Sequence, residues 1–279
     1  MNALYSQAVS RLASVYPAGE ARAMVRIVLE DAFGVSMNDV YADKVRQFSE
    51  AEAARFHNMV ERVAAGEPVQ YVVGRAAFDR LMLRVDRSVL VPRPETLELA
   101  RWAAESCPAG AKILDIGTGS GCIAIYLALT VPGSRVSAID VSPGAIATAR
   151  ANAAGCGAKV EFREADILTA ARPASAELNL VVSNPPYVCQ SERREMERNV
   201  VDYEPEGALF VSDDDPLVFY RAIARYAAAA LAEGGAAMVE INRRFGPQTA
   251  ALFSREGFGR VELRKDEYGN DRMIKATKI

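Results

Sequence analysis

The run Asn184-Pro185-Pro186-Tyr187 combines residue types that suit recognition of a planar amino or amide group. Two consecutive prolines fix two φ angles and remove two backbone N–H donors, so acceptor oxygens dominate the turn. The side-chain oxygen of Asn184 and nearby carbonyls therefore predict a pocket that accepts hydrogen bonds from an NH2 group. Tyr187 offers an aromatic face for the same flat group. Asn-Pro-Pro is also an ordinary loop opener, and the run alone does not decide between the two interpretations.

The apolar segment Leu178 to Ser183 leads directly into this run. Its aliphatic and β-branched residues predict a buried parallel strand that ends at the prolines. In open α/β sheets, ligands bind at the carboxyl ends of the strands. We therefore expect the Asn-Pro-Pro-Tyr run at the ligand-binding edge of a sheet.

A glycine-rich turn joins a predicted strand, Ala111 to Ile116, to a predicted helix, Cys122 to Leu129. Its pattern is DxGxGxG, whereas a dinucleotide fingerprint reads GxGxxG. Asp115 ends the strand, and a carboxylate pointing into the site disfavours a phosphate and favours a cation. The turn residues are expected to approach a ligand closely through their backbone; they are Gly117, Thr118, Gly119, Ser120 and Gly121.

Two further predicted strands also end at carboxylates. Arg135 to Ile139 leads to Asp140, which can accept both hydroxyls of a ribose, and Val160 to Arg163 leads to Asp166, placed to receive an adenine amino group. Together with Asp115, these carboxylates suit a cationic, ribose-bearing, phosphate-free cofactor, which indicates S-adenosylmethionine. The alternative is that Asp140 and Asp166 only cap helices.

Composition excludes several other classes of protein. The 279 residues are half apolar and a quarter charged, which is typical of globular chains with one large and one small domain. Four widely spaced cysteines and a single histidine predict neither a metal site nor a histidine-based triad. The net charge of −3 predicts no direct binding to duplex nucleic acid. Without a signal sequence or a long apolar run, a soluble cytoplasmic protein without a membrane anchor is expected.

Hydrophobic spacing divides the chain into three predicted regions. Residues 1–66 show apolar positions three and four apart, which predicts a domain of four or five short amphipathic helices, with either a structural or a partner-docking role. Residues 67–93 alternate in two places, Val69 to Val73 and Leu81 to Val85, which predicts a hairpin connector. Residues 94–279 alternate strand and helix.

The third region is predicted to be a seven-stranded α/β sheet whose last hairpin is antiparallel. A turn at Glu233-Gly234-Gly235 is expected before the strand Ala236 to Ile241. The charged segment Gln190 to Asp215 is most simply interpreted as a solvated loop with short helices, and its position leaves a second role, covering the cleft, open. The fold class is thus α/β, a Rossmann-like class I methyltransferase domain preceded by a small helical domain and a β-hairpin connector.

Several sequence blocks resemble the bacterial protein-(glutamine) N5-methyltransferases that modify class-1 peptide chain release factors. The blocks span nearly the whole chain; they are Gly66 to Tyr71 (GEPVQY), Pro92 to Thr96 (PRPET), Ile113 to Cys122 (ILDIGTGSGC), Ser183 to Tyr187 (SNPPY), Glu204-Pro205 with Ala208-Leu209, and Asp271-Arg272. The SNPPY block also fits amino-methyltransferases that act on adenine or guanine, whereas the GEPVQY and PRPET blocks are far more selective.

The resemblance implies roles for these residues. The Gly117 to Gly121 turn and Asp140 would hold S-adenosylmethionine, and Asn184 to Tyr187 would hold the glutamine of the release factor's Gly-Gly-Gln loop. The N-terminal helical domain, residues 1–66, would help to dock this protein substrate. Some relatives carry an aromatic residue that packs on adenine where this chain has Ile167, so apolar packing would remain without aromatic stacking.

The chemistry of such a site follows from the properties of an amide. An amide nitrogen is a poor nucleophile because its lone pair is delocalised into the carbonyl. If the Asn184 oxygen and the Pro185 carbonyl each accept one amide hydrogen, the nitrogen is fixed in line with a sulfonium methyl group. Alternative functions are a glutamine methyltransferase for a ribosomal protein, an amino-methyltransferase on nucleic acid, and a non-catalytic binding protein on the same scaffold.

Overall fold

The computed structural model of the protein describes residues 3–42, 48–170 and 177–279. The chain divides into two compact units. The first comprises Met1–Arg75 and Glu197–Tyr203, and the second comprises Ala76–Met196 and Glu204–Ile279. Across the described ranges, no helix combines the length and the apolar character that crossing a bilayer requires.

The first unit is helical, as its amphipathic spacing predicts. Its buried core includes Leu12, Val28, Phe56 and Val60, which belong to the predicted apolar spacing. Helix α2 continues as a π-helical turn, Val28–Ala32. The helices are α1 Ala3–Ala13, α2 Ala18–Ile27, α3 Met37–Tyr41, α4 Glu50–Ala64 and α5 Val69–Val73, with α9 Arg198–Tyr203 contributed from later in the chain.

The prediction of a strand at Val69 to Val73 is wrong, because this segment forms helix α5. The Pro68 carbonyl accepts hydrogen bonds from the backbone N–H groups of Tyr71 and Val72, at 2.9 and 3.1 Å. Val69 and Val72 are three residues apart, so a helix turns both into the same core, whereas a strand would place them on opposite faces. The later half of the predicted connector is a strand pair, β1 Arg75–Phe78 with β2 Leu81–Arg84.

The second unit contains a seven-stranded sheet in the order β5-β4-β3-β6-β9-β11-β10. The five strands from β5 to β9 are parallel, and β11 is antiparallel to both of its neighbours, as predicted. A separate two-stranded sheet pairs β7 with β8. The strands are β3 Lys112–Ile116, β4 Arg135–Asp140, β5 Val160–Glu164, β6 Leu178–Ser183, β7 Val188–Cys189, β8 Phe210–Val211, β9 Leu231–Glu240, β10 Arg260–Lys265 and β11 Asp271–Thr277.

Helices cover both faces of this sheet. One apolar cluster joins Ile113 of β3 to α6, α7 and α8, and a second joins the next residue, Leu114, to α11 and α12. Successive side chains of a strand point to opposite faces of the sheet, and here helices bury both faces. This explains why the sequence of β3 is almost continuously apolar. The helices are α6 Pro94–Ser106, α7 Cys122–Thr130, α8 Pro143–Cys156, α10 Glu206–Leu209, α11 Val218–Ala230 and α12 Gly246–Arg255, with a 3-10 helix at Gln190–Glu195.

The predicted turn at Glu233 to Gly235 instead lies within the long strand β9. The pairing with β6 shifts register here, because Leu178 lies opposite Leu231 whereas Leu180 lies opposite Ala236. A Cβ added at Gly235 would stand 3.0 Å from the Leu178 carbonyl oxygen, so a larger residue would collide with the neighbouring strand. The glycines therefore form a bulge in a continuous strand rather than a reversal of the chain.

The order of the strands places the candidate site. Strand β3 lies between β4, which follows it in the chain, and β6, which the chain reaches only after β5, so the strand order reverses beside β3. A crevice opens at the carboxyl ends of parallel strands where the order reverses in this way. The glycine-rich turn follows β3, and the Asn184 turn follows β6.

Candidate functional site

A cavity of about 240 Å³ lies at this edge of the sheet and is lined by most of the residues that the sequence singled out. Three of the predicted site residues, Asp115, Gly121 and Tyr187, are not part of its lining. The predicted residues that line the cavity are Gly117, Thr118, Gly119, Ser120, Asp140, Asp166, Ile167, Asn184, Pro185 and Pro186.

The glycine-rich turn is held against β4 by its backbone. The N–H groups of Gly117 and Thr118 both donate to the Ile139 carbonyl, at 2.8 and 3.0 Å, and the Gly119 N–H donates to Asp140 Oδ2 at 2.9 Å. Gly119 has a φ of +55°, and a Cβ added there would meet no protein atom within 4 Å. Since Gly119 lines the cavity, a side chain at this position would enter the space of a ligand.

Gly121 has a packing role in the structure. A Cβ added there would lie 3.0 Å from Ile125 Cδ1 and 3.2 Å from Ala149 Cβ, so the absence of a side chain lets α7 pack closely on α8. Its φ of +83° also favours glycine at the start of α7. Gly121 therefore supports helix packing, and its contact with the cofactor stays a prediction.

Asp115 differs most from the sequence-based expectation, because its carboxylate is fully buried and does not point into the cavity. Asp115 lies two residues after Ile113 on β3 and therefore shares its face, which packs against α7. Its Oδ2 accepts a 2.7 Å hydrogen bond from Thr118 Oγ1, and its Oδ1 has no hydrogen-bond partner within the described residues. Burial raises the pKa of Asp115 to about 7. Its place in the structure is beneath the glycine-rich turn, which it supports through Thr118.

Asp140 lines the cavity and is held there by two backbone donors. Its Oδ1 accepts from the Ser142 N–H and its Oδ2 from the Gly119 N–H, both at 2.9 Å. A carboxylate has about four acceptor positions, so one remains on each oxygen for a pair of hydroxyls. The capping alternative does not apply to Asp140, because α8 is capped by the Ser142 hydroxyl, which accepts from the Ala145 N–H at 3.2 Å.

Aliphatic side chains and a second carboxylate complete this end of the cavity. Val141, which follows Asp140, is 63% exposed, a large fraction for an aliphatic side chain that lines a cavity. Ile167 lines the same cavity beyond β5, and the neighbouring Asp166 accepts a 2.9 Å hydrogen bond from the Leu168 N–H. A flat heteroaromatic base with an exocyclic amino group fits this combination. Asp140, Val141 and Ile167 therefore suit the ribose and adenine of S-adenosylmethionine.

The Asn184 turn belongs to a buried chain of hydrogen bonds that sequence reasoning missed. Asn184 Nδ2 donates to Thr96 Oγ1 at 2.9 Å, and Thr96 Oγ1 donates to Glu240 Oε2 at 2.7 Å. Thr96 is 3% exposed and Glu240 is 1% exposed. The sequence signal for Glu240 is an acidic residue at the end of β9, a strand that lies next to β6 in the sheet. The partners of Glu240 could not be predicted, because they lie far away in sequence.

Tyr187 contributes its hydroxyl to this chain, whereas the sequence suggested that its ring would contact a ligand. The Tyr187 hydroxyl donates to Glu240 Oε1 at 2.9 Å, and its ring packs against the apolar cluster under α11 and α12. Burial raises the pKa of Glu240, while hydrogen bonds from Thr96 and Tyr187 and the charge of Arg272 oppose that rise. Arg272 is itself paired with Asp266 at 3.1 Å.

The charged segment after the turn also reaches the cavity, where Pro205, Gly207 and Ala208 form part of the lining. Glu204, which precedes them, has a buried side chain that accepts from Arg93 Nη2 at 2.6 Å and from the Val91 N–H at 3.2 Å. This partly buried ion pair joins the segment to the chain just before α6. Within the second unit, this part of the segment therefore forms one side of the cavity, in line with the second role that the sequence left open.

Comparison with known proteins identifies the family. A release factor glutamine methyltransferase of Bacteroides thetaiotaomicron is 39% identical over 278 residues, which cover 100% of both chains. One of Flavobacterium psychrophilum is also 39% identical, over 98% of this chain and 97% of that protein. The chain belongs to the release factor glutamine methyltransferase family. Two family models agree, the PrmC N-terminal domain over residues 3–74 and the methyltransferase small domain over residues 99–203.

The fold is shared with solved methyltransferases. The 16S rRNA N2 G1207 methyltransferase of Thermus thermophilus, solved with AdoMet and guanosine, matches 74% of this chain and 50% of that chain, with a TM-score of 0.52 and 19% sequence identity. The predicted family, the class I methyltransferase fold and S-adenosylmethionine as cofactor are thus confirmed.

Proposed function

We propose that the protein transfers the methyl group of S-adenosylmethionine to the side-chain amide nitrogen of the glutamine in the Gly-Gly-Gln motif of class-1 peptide chain release factors. Relatives that match this chain from end to end are release factor glutamine methyltransferases. The observation that carries the proposal is the orientation of Asn184 in the cavity wall. Its NH2 group is engaged by Thr96, which leaves its oxygen to accept a hydrogen from a substrate amide.

The cofactor end of the cavity is proposed to be the part that follows β3, β4 and β5. Bound S-adenosylmethionine supplies an electrophilic methyl group on a positively charged sulfur. Backbone groups of Gly117 to Ser120 pack against it, Asp140 accepts the ribose hydroxyls, and Asp166 accepts the adenine amino group. Val141 and Ile167 provide apolar contact for the adenine ring.

The acceptor end is proposed to be Asn184, Pro185 and Pro186. The Asn184 side-chain oxygen and the Pro185 carbonyl each accept one hydrogen of the substrate amide, which aims the nitrogen at the methyl group. As the nitrogen–methyl bond formed and the sulfur–methyl bond broke, with its electron pair returning to sulfur, the nitrogen would gain positive charge, which the two acceptor oxygens would stabilise. The acidified nitrogen would then lose its proton to water without a strong base. This agrees with the lining of the cavity, which includes no histidine or lysine among the residues that the structure describes.

The substrate is proposed to be a protein rather than a duplex nucleic acid. The chain has a net charge of −3, whereas nonspecific contact with phosphates requires a basic surface. The PrmC N-terminal domain match over residues 3–74 supports a role for the first unit in docking the release factor. Since release factors act in translation, the proposed site of action is the cytoplasm.

Methyl transfer from radiolabelled S-adenosylmethionine to a purified class-1 release factor tests this function. Label is expected in the intact release factor and absent from a variant in which the acceptor glutamine is replaced by alanine. Mass spectrometry should locate a single added methyl group on that glutamine. Parallel reactions with ribosomal proteins and with DNA or RNA test the alternative substrates. Efficient labelling of one of these, without labelling of the release factor, would overturn the proposal.

A further inference from the structure

The hydrogen bonds that converge on Thr96 have a defined direction. A threonine hydroxyl has one hydrogen and can accept through its lone pairs. Thr96 Oγ1 lies 2.7 Å from Glu240 Oε2 and 2.9 Å from Asn184 Nδ2. When Glu240 is ionised, its carboxylate can only accept, so Thr96 donates its single hydrogen to Glu240. The same hydroxyl can then only accept from Asn184, which places the NH2 group of Asn184 towards Thr96.

Burial raises the pKa of Glu240, whereas hydrogen bonds from two hydroxyls and the charge of Arg272 favour the ionised form, in which the carboxylate is an acceptor. Its second oxygen accepts from the Tyr187 hydroxyl at 2.9 Å, and the positive charge of Arg272 lies nearby. Each carboxylate oxygen thus receives one hydrogen bond from a hydroxyl. A carboxylate that is 1% exposed costs folding free energy unless donors surround it, so this arrangement accounts for its presence in the core.

We propose that Glu240, acting through Thr96, fixes the orientation of the Asn184 amide and thereby makes the acceptor pocket select an amide over a carboxylic acid. The inference rests on the proposed function, and it adds two positioning residues that do not themselves touch the reacting atoms. Thr96 and Glu240 lie 144 positions apart in sequence and meet only because α6 begins beside the end of β9.

The orientation of Asn184 decides which substrate group is accepted. With its NH2 held by Thr96, Asn184 presents an oxygen that matches the NH2 of glutamine and repels the carboxylate of glutamate. With the amide reversed, Asn184 would present an NH2 group that repels the donor hydrogens of glutamine and attracts a carboxylate. Discrimination between glutamine and glutamate therefore reports the direction of the whole hydrogen-bond chain.

Substitution of Glu240 by glutamine tests this directly. The Glu240→Gln side chain has nearly the same shape but can donate to Thr96, which frees the Thr96 hydrogen to point at Asn184 and lets the Asn184 amide reverse. Thr96→Val removes the hydroxyl, whereas Thr96→Ser keeps it. Thr249→Val is the matched control, because Thr249 is equally buried in α12 and its hydroxyl has no hydrogen-bond partner within the described residues.

Two quantities are measured for each variant with the full-length protein. The first is the single-turnover rate of methylation of a class-1 release factor, with S-adenosylmethionine affinity determined separately by calorimetry. The second is inhibition of that reaction by the same release factor carrying glutamate in place of the acceptor glutamine. A structural defect alone would lower the rate without changing which side chain is preferred.

The expected result for Glu240→Gln and Thr96→Val is a rate that is lower by about tenfold to a hundredfold, with cofactor affinity unchanged. The ratio of the affinity for the glutamate form to the affinity for the glutamine form should be about tenfold higher for the Glu240→Gln variant than for the wild type. Thr96→Ser should recover most of the rate that Thr96→Val loses, because it restores the hydroxyl, and Thr249→Val should behave like the wild type.

Wild-type rates in both Glu240→Gln and Thr96→Val would overturn the inference. So would reduced rates with unchanged discrimination between the glutamine and glutamate forms. Wild-type protein that fails to methylate the release factor would instead count against the proposed function, so the two failures can be told apart.

Discussion

The side-chain nitrogen of Asn184 donates a 2.9 Å hydrogen bond to the hydroxyl of Thr96, a residue that lies 88 positions earlier in the chain. Asn184 follows the central strand β6, and Thr96 lies in the first turn of α6. The contact joins two sequence blocks, SNPPY and PRPET, that have no evident relation in the sequence. A partly buried, directional bond of this kind holds the Asn184 side chain in one orientation.

Replacement of Asp140 by alanine should weaken S-adenosylmethionine binding. The ribose hydroxyls would lose a charged acceptor, which corresponds to about 1.5–3 kcal/mol, or roughly a tenfold to hundredfold rise in Kd. The Gly119 and Ser142 N–H groups would also lose their partner, so the turn itself would loosen. Asp140→Asn keeps one acceptor oxygen and should have a smaller effect. Calorimetry that shows unchanged affinity for Asp140→Ala would remove this residue from the binding site.

Two substitutions in the glycine-rich turn are expected to affect different properties, cofactor binding and thermal stability. Gly119→Val should abolish cofactor binding in a protein that still folds, because a side chain there meets no protein atom but enters the cavity, with a φ of +55° adding local strain. Gly121→Ala should chiefly lower thermal stability, since its methyl group would press on Ile125 and Ala149. Thermal unfolding with and without cofactor distinguishes these outcomes. Normal binding by Gly119→Val would contradict the assigned geometry.

The buried carboxyl of Asp115 should make stability depend on pH. Its pKa is raised from 3.8 to about 7 in the folded protein, so folding favours the protonated form. The corresponding stabilisation is complete below about pH 4 and is lost as the pH rises through about 7. The stability of Asp115→Asn relative to the wild type should therefore increase with pH across this window, by at most about 1.4 kcal/mol per pH unit. Denaturant unfolding of both proteins at several pH values measures this, and a constant difference would contradict the raised pKa.

Local patterns were sufficient to predict the elements that carry the site. Strand ends at Asp140 and Asn184 were predicted because buried parallel strands have continuous apolar sequences and stop at polar residues or prolines. The glycine-rich turn was recognisable because it falls between such a strand and an apolar helix. These features depend only on neighbouring residues, which a single sequence displays directly.

The features that the sequence missed depend on tertiary contacts. Helix α5 alternates like a strand at Val69, Tyr71 and Val73, and it is helical because Val69 and Val72 pack into one core. The Asp115 side chain lies on a buried face of β3, and an aspartate at this position does not by itself predict burial. The role of Glu240 depends on the sheet order, which places the end of β9 next to β6. Its two oxygens accept hydrogen bonds from Thr96 and Tyr187, which lie 144 and 53 positions away in sequence.

The central claim is that the Asn184 side chain aligns and stabilises the reacting amide nitrogen, and Asn184→Ala tests it most directly. The two prolines remain, so the turn should persist and the affinities for cofactor and release factor should change only a few-fold. Asn184→Asp retains an acceptor but cannot donate to Thr96 and attracts the sulfonium in the ground state, so it should restore activity only in part.

The decisive measurement is the single-turnover rate of release factor methylation by Asn184→Ala, with both affinities determined independently. The account predicts a rate lower by about a hundredfold or more, equivalent to about 2.7–4 kcal/mol of transition-state stabilisation. A near-normal single-turnover rate would contradict it and would return the Asn-Pro-Pro-Tyr run to a purely structural role.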